Sequence, residues 1–227
     1  MIRARTKARL KINEQLRGNK TNLRVVGCLL FKEWDAKESR WYYWEEWELT
    51  GFDDYDCWVE YDHDTQKAAL YEPVHFVEKI DPEKLRVGMT MTLTDEAGRA
   101  RQVTVNEAGR GTIVKIQGKN AYQVFEGEEM IYATLSSSAN GKQTLLTLEK
   151  YNNREYDVYQ KTRLSVPRQK ALFGKRIVPI QRNWEDSWWL YVIVFVIALL
   201  IAIFDSDTSD NTGSRSIYGG GSSGVGK

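Results

Sequence analysis

Between Leu10 and Tyr159, apolar residues recur at every second position and are repeatedly cut by turn sequences. That period sends alternate side chains to opposite faces of an extended chain, and it predicts strands. Leu10-Lys-Ile-Asn-Glu-Gln-Leu16 alternates and ends in the turn Arg17-Gly-Asn-Lys20. Leu23-Arg-Val-Val-Gly-Cys-Leu-Leu-Phe31 is rich in branched residues and reads as a buried strand. Trp41-Tyr-Tyr-Trp-Glu-Glu-Trp-Glu-Leu-Thr-Gly-Phe52 sets Trp47 and Leu49 against Glu46, Glu48 and Thr50, which predicts a strand with one wet face. Acidic turns at 53–56 and 62–66 lead into Cys57-Trp-Val-Glu-Tyr61 and Lys67-Ala-Ala-Leu-Tyr71, giving a meander of hairpins.

After Asp81-Pro82 the pattern restarts. Leu85-Arg-Val-Gly-Met-Thr-Met91 matches residues 10–16 in its spacing of apolar and basic positions, and residues 146–159 match 58–71 as a hairpin with an aliphatic-Tyr ending. Gly111-Thr-Ile-Val-Lys-Ile116, a turn at 117–120 and Ala121-Tyr-Gln-Val-Phe125 form another strand pair, and Asn140-Gly141 marks a tight hairpin. The fold expected is all-β: two related small barrel-like or curled antiparallel units in tandem, residues 1–83 and 84–167.

Residues 187–204 carry no charge, no Gly and no Pro. As a helix they extend roughly 27 Å, close to the ~30 Å hydrocarbon core of a bilayer, and they predict one C-terminal transmembrane helix. Trp184, Trp188, Trp189 and Tyr191 crowd one end, where amphipathic rings favour the headgroup layer. The segment 168–186 supplies Arg168, Lys170, Lys175, Arg176 and Arg182 as contacts for anionic lipid. By the positive-inside rule these cations keep the body cytoplasmic and send the Gly/Ser/Asp-rich tail, 205–227, outside as a disordered segment. The N-terminus is basic and lacks the apolar core of a secretory signal. The location expected is the bacterial inner membrane, crossed once, with the lipid bilayer and another membrane or membrane-associated protein as partners.

The 227 residues hold 32 Lys+Arg against 31 Asp+Glu, a net charge of +1. That balance argues against a nucleic-acid partner, which needs excess positive surface for phosphates. Two cysteines, Cys28 and Cys57, exclude a disulfide framework. Together with His63 and His75 they lack zinc-ligand spacing, and the acidic run at 53–64 lacks the Asp-x-Asp-x-Asp-Gly order of a calcium loop. No nucleophile has a recognisable base, and Gly109-Arg-Gly111 lacks the strand-to-helix setting of a phosphate loop. No catalytic residue, metal or cofactor is therefore expected. On the aromatic strand, Tyr42 and Trp44 lie opposite Trp47 and are candidate partner contacts, unless a second layer covers that face.

The Leu-Lys-Ile opening, the Val-Val-Gly strand, Trp44-Glu-Glu-Trp-Glu-Leu49, the Trp-Val-Glu hairpin after it and Glu126-Gly-Glu128 resemble, in their order, a bacterial family called domain of unknown function 4178. The resemblance covers about residues 10–165. It implies a β-rich accessory module, often encoded near small membrane proteins, polyamine-synthase-like proteins or envelope-stress genes, and it carries over no catalytic residue. The function expected is a membrane-anchored cytoplasmic binding or scaffolding module, non-enzymatic, in membrane maintenance or stress. The alternative is an accessory part of an enzyme or transport system for a polyamine-like cation, met by the acidic turns.

Overall fold

The computed structural model describes residues 5–52, 55–119, 121–139, 142–151, 155–180 and 192–198. Its strands are β1 (Gln15–Arg17), β2 (Asn22–Asp35), β3 (Arg40–Phe52), β4 (Tyr55–Asp62), β5 (Ala68–Pro73), β6 (Thr90–Thr94), β7 (Ala100–Gly118), β8 (Glu129–Ala139), β9 (Lys142–Tyr151) and β10 (Tyr156–Arg163). They pair in the order β1-β2-β3-β4-β5-β10-β9-β8-β7-β6, and β2 also pairs with β7. Eight strands therefore close into one antiparallel barrel, with β1 and β6 outside it.

This corrects the expectation of two tandem units. Each half of the chain supplies one outer strand and four barrel strands, and neither half closes on itself. The two seams join the halves. At one, β5 meets β10 with Tyr71 opposite Lys161; at the other, β2 meets β7 with Leu29 opposite Ile116 and Phe31 opposite Ile113. The similar segments 58–71 and 146–159 are the hairpins β4–β5 and β9–β10, and they lie side by side across the first seam. The physical reason is edge satisfaction: a curled four-stranded sheet leaves two rows of unpaired N–H and C=O groups, and closure removes both. Residues 121–125 also differ from expectation. They form no strand: β2 pairs with β7 as far as Gly118↔Gly27, and the segment after it leaves the sheet and turns into the barrel.

The predicted transmembrane helix is not seen among the described residues. Within 187–204 only 192–198 are described, and they are helical. Among the described residues no helix is long and apolar enough to cross a membrane. Trp184, Trp188, Trp189, Tyr191, Arg182 and the tail from 205 lie outside the described residues.

The barrel carries two packed layers on the outside of its wall. One outer layer joins Cys28, Trp47, Val59, Tyr61 and Leu70 to Leu10 and to Phe173, Ile177 and Val178. Phe173 belongs to the helix α1 (Val166–Phe173), capped by the Ser165 side chain at its start and by left-handed Gly174 at its end. The fully buried Glu45 carboxylate fastens the N-terminal segment to this layer. It accepts from the backbone N–H of Lys7 and of Ala8 (3.2 Å) and from the Trp47 indole (2.7 Å), and His63 Nε2 lies 2.5 Å away. The second outer layer packs Leu93, Val103, Leu135, Leu146 and Val158 beneath Ile80 and Leu85.

Because each half leaves its sheet edges open, residues 1–83 expressed alone should not form a folded monomer. Circular dichroism and heteronuclear NMR should show a disordered or aggregated chain. A cooperatively melting, well-dispersed monomer would contradict the single barrel.

Candidate functional site

The face of β3 that carries Glu46 and Glu48 is dry, although the sequence reading placed it in water. In a closed barrel the inner face is as enclosed as the outer one, and these side chains are 2 % and 4 % exposed. Trp44, on the same face, stacks on Phe31 with ring centroids 5.0 Å apart and meets Tyr132 edge-on at 5.8 Å. Gly111 makes room for it, since a Cβ there would lie 2.4 Å from the indole ring. One end of the lumen is filled by rings. Tyr122, carried in by the β7–β8 connection, stacks between Trp58 (5.3 Å) and Tyr151 (4.7 Å).

The remainder of the lumen is a cavity of roughly 590 Å³. At its inner end stand Glu46, Glu60 and Glu149 with Lys161 and Thr147; farther out are Glu33, Glu107 and Tyr132; Asp35, Asp62 and Asp64 contribute to its lining from turns or strand ends. Eight carboxylates thus face two lysines, Lys37 and Lys161. Lys161 Nζ pairs with Glu60 Oε2 at 2.7 Å and lies 5.3 Å from the Tyr71 ring centroid, while the Tyr71 hydroxyl also donates to Glu60. Glu46 accepts from the Trp44 indole at 2.8 Å and from the Tyr151 hydroxyl at 3.4 Å.

Two groups here lack partners. Thr147 Oγ1, on a residue 2 % exposed, has no hydrogen bond. Glu149, 3 % exposed, forms no ion pair among the described residues. Burial of such polar atoms costs free energy unless something meets them.

Burial, opposed by the Trp44 hydrogen bond and reinforced by the Glu60 charge, pushes the Glu46 carboxyl up to about 8. Burial and then the charges of Glu46 and Glu60 hold Glu149 well above the usual carboxylate range. Burial works most strongly against the Lys161 charge, but the charge and hydrogen bond of Glu60, with the charges of Glu107 and Glu149, together outweigh it and raise the ammonium. Burial likewise raises Glu33, against the Tyr132 hydrogen bond. The Glu46 and Glu149 carboxyls therefore hold protons at pH values where an exposed glutamate has lost its own.

Tyr42 and Trp44 line this cavity, so the face expected to meet a partner is the barrel interior. Of the basic residues expected at lipid, Arg168 and Lys170 are exposed on α1. Lys175 pairs with Glu14 at 2.5 Å, and the Arg176 guanidinium donates to the Pro179 carbonyl at 3.1 Å. Among the described residues, no group of three His, Cys, Asp or Glu is arranged to hold a metal ion. Glu46, Glu60, Glu149, Lys161, Glu33, Glu107 and Tyr132 were missed from sequence. The available signal was Trp44 sharing a face with Glu46, since an indole in period with a glutamate is out of place on a solvated face.

Glu46 fixes the sign of a pH effect. Its folded value of about 8 exceeds its ordinary 4.5, so between these the folded protein holds a proton that the unfolded chain has lost. Its contribution is full below about pH 4.5 and is lost as pH rises through about 8. Glu46→Gln should therefore flatten the fall in melting temperature between pH 5.5 and 9, and should stabilise the protein at pH 9 by up to about 5 kcal/mol. An unchanged slope in thermal melts would refute the assignment.

Comparison with family models, with curated proteins and with solved structures finds no match.

Proposed function

We propose that this protein is a binding module, not an enzyme, and that it takes a small organic ammonium ion into the barrel. The observation that carries the reading is an acidic cavity lined by a buried Thr147 hydroxyl with no hydrogen bond and a buried Glu149 with no ion pair among the described residues. An ammonium group satisfies such acceptors by donating several charge-assisted hydrogen bonds. The aromatic walls favour an organic cation over a hydrated metal ion, because ring faces attract a weakly hydrated charge and cover its alkyl part. Lys161 supplies the internal example, its own ammonium being held between the Glu60 carboxylate and the Tyr71 ring. This is the small-cation alternative of the sequence reading, moved from the acidic turns to the barrel interior.

The non-enzymatic part of the proposal rests on the state of the usual reactive groups. Cys28 and Cys57 are buried in the outer layer, and burial raises both thiols, Cys57 to about 12. Such thiols are inert as nucleophiles. His63 is engaged by Glu45 on the outer side of the wall.

The test is calorimetric titration with n-hexylamine hydrochloride at pH 8, alongside the intrinsic fluorescence of Trp44 and its neighbours. Saturable binding should appear, weakened about tenfold by Glu149→Gln and further by added salt. Absence of saturable binding up to about 10 mM, or equal binding by Glu149→Gln, would overturn the reading.

A further inference from the structure

The carboxylates of the cavity fall into two groups. The inner group is Glu46, Glu60 and Glu149, with Lys161 as its single cation. The outer group is Glu33 and Glu107, joined by the Tyr132 hydroxyl, which lies 2.6 Å from Glu33 and 3.1 Å from Glu107. No lysine or arginine among the described residues forms an ion pair with either outer carboxylate. Charge repulsion among the carboxylates runs within groups, Glu33 being raised by Glu107 and Glu46 and Glu149 by Glu60, while the Lys161 cation feels both groups, Glu107 as well as Glu60 and Glu149.

On the β2–β3 side the strand register sets the distance between Glu33 and Glu46, while on the far wall Glu107 shares a cross-strand row with Thr134 and Thr147. Glu33 of β2 stands opposite Tyr42 of β3, while Glu46 of β3 stands opposite Leu29 of β2. The two levels are four residues apart along one strand pair, or about 13 Å at the rise of an extended chain. Between them the cavity wall is apolar: Trp44 lies flat on Phe31, and Met130 and the Tyr132 ring complete it. An acidic pole, an apolar waist and a second acidic pole match a chain of methylenes with a cation at each end. A monoamine leaves one pole unmet, and a compact metal ion leaves the waist empty.

We infer that the ligand is a linear aliphatic di- or polyamine, one ammonium meeting Glu46, Glu60 and Glu149 and another meeting Glu33 and Glu107. This rests on the amine-binding reading above and adds the ligand's length and second charge. The buried, unpartnered Thr147 hydroxyl at the inner pole is the independent sign that something is received there.

The experiment compares n-hexylamine, 1,3-diaminopropane, 1,6-diaminohexane and spermidine by calorimetry on the full chain at pH 8. 1,6-Diaminohexane and spermidine should bind at least about tenfold tighter than n-hexylamine, a second charge-assisted contact being worth that much. 1,3-Diaminopropane is too short to reach both poles and should gain little over n-hexylamine. The double variant Glu33→Gln/Glu107→Gln, checked for folding by its melt, should lose the diamine advantage while holding n-hexylamine within about twofold of the parent. A diamine no tighter than the monoamine, or equal gains for the short and long diamines, would overturn this inference and leave amine binding standing. Binding of none of the four would overturn both.

Discussion

Closure of the sheet between β2 and β7 decides what every strand pattern in this protein means. In an open sheet the polar face of an alternating strand meets water. Once β2 pairs with β7 and β5 with β10, the inner face of every strand is enclosed, and the glutamates of β3, β4 and β9 become interior groups. The two outer layers then take over the task of an ordinary core. They bury the aliphatic sets of each half beneath the N-terminal segment with α1 on one side, and beneath residues 74–85 with β6 on the other. The lumen is freed from carrying most of the hydrophobic stabilisation, and that division of labour permits a cavity there.

The interior still has a cost. A carboxylate removed from water is destabilising unless paired, hydrogen-bonded or protonated, and all three remedies are present. Glu60 is paired with Lys161, and Glu46 is hydrogen-bonded by Trp44. Burial raises the Glu46 and Glu149 carboxyls, so that the proton substitutes for a missing cation. Glu45 shows the opposite solution a residue away on the outer face, where several donors converge on one carboxylate and fasten the chain terminus. Glu45 is met by donors on both oxygens, whereas Glu149 lines the cavity with no ion pair among the described residues, and the amine-binding proposal rests on that contrast.

Local sequence carried much of the fold. The alternation in β2 to β5, the turn at 62–66 and the hairpin around Asn140-Gly141 follow from residues close in the chain. The internal similarity was legible as well, because 58–71 and 146–159 fold as equivalent hairpins. Its consequence was not, since pairing Tyr71 with Lys161 is a contact between distant halves that no local period specifies. The site was lost at the same step. Glu46 and Glu48 on a strand read as solvated until the other half of the barrel closes over them. Gly109 and Gly111, meaningless as a phosphate loop, are places where the Tyr132 and Trp44 rings lie against bare backbone.

The central claim is that the barrel interior exchanges stored protons for a cation. It is tested most directly by counting the protons released when 1,6-diaminohexane binds at pH 7, from calorimetric enthalpies in buffers of different ionisation enthalpy. With the Glu46 carboxyl at about 8, the free site is largely protonated at pH 7 and the diamine is fully charged, so binding should release protons to the buffer. Release should shrink in Glu46→Gln and as the pH approaches 9. Binding without proton release, or with proton uptake, would show that the cation does not sit against these carboxylates.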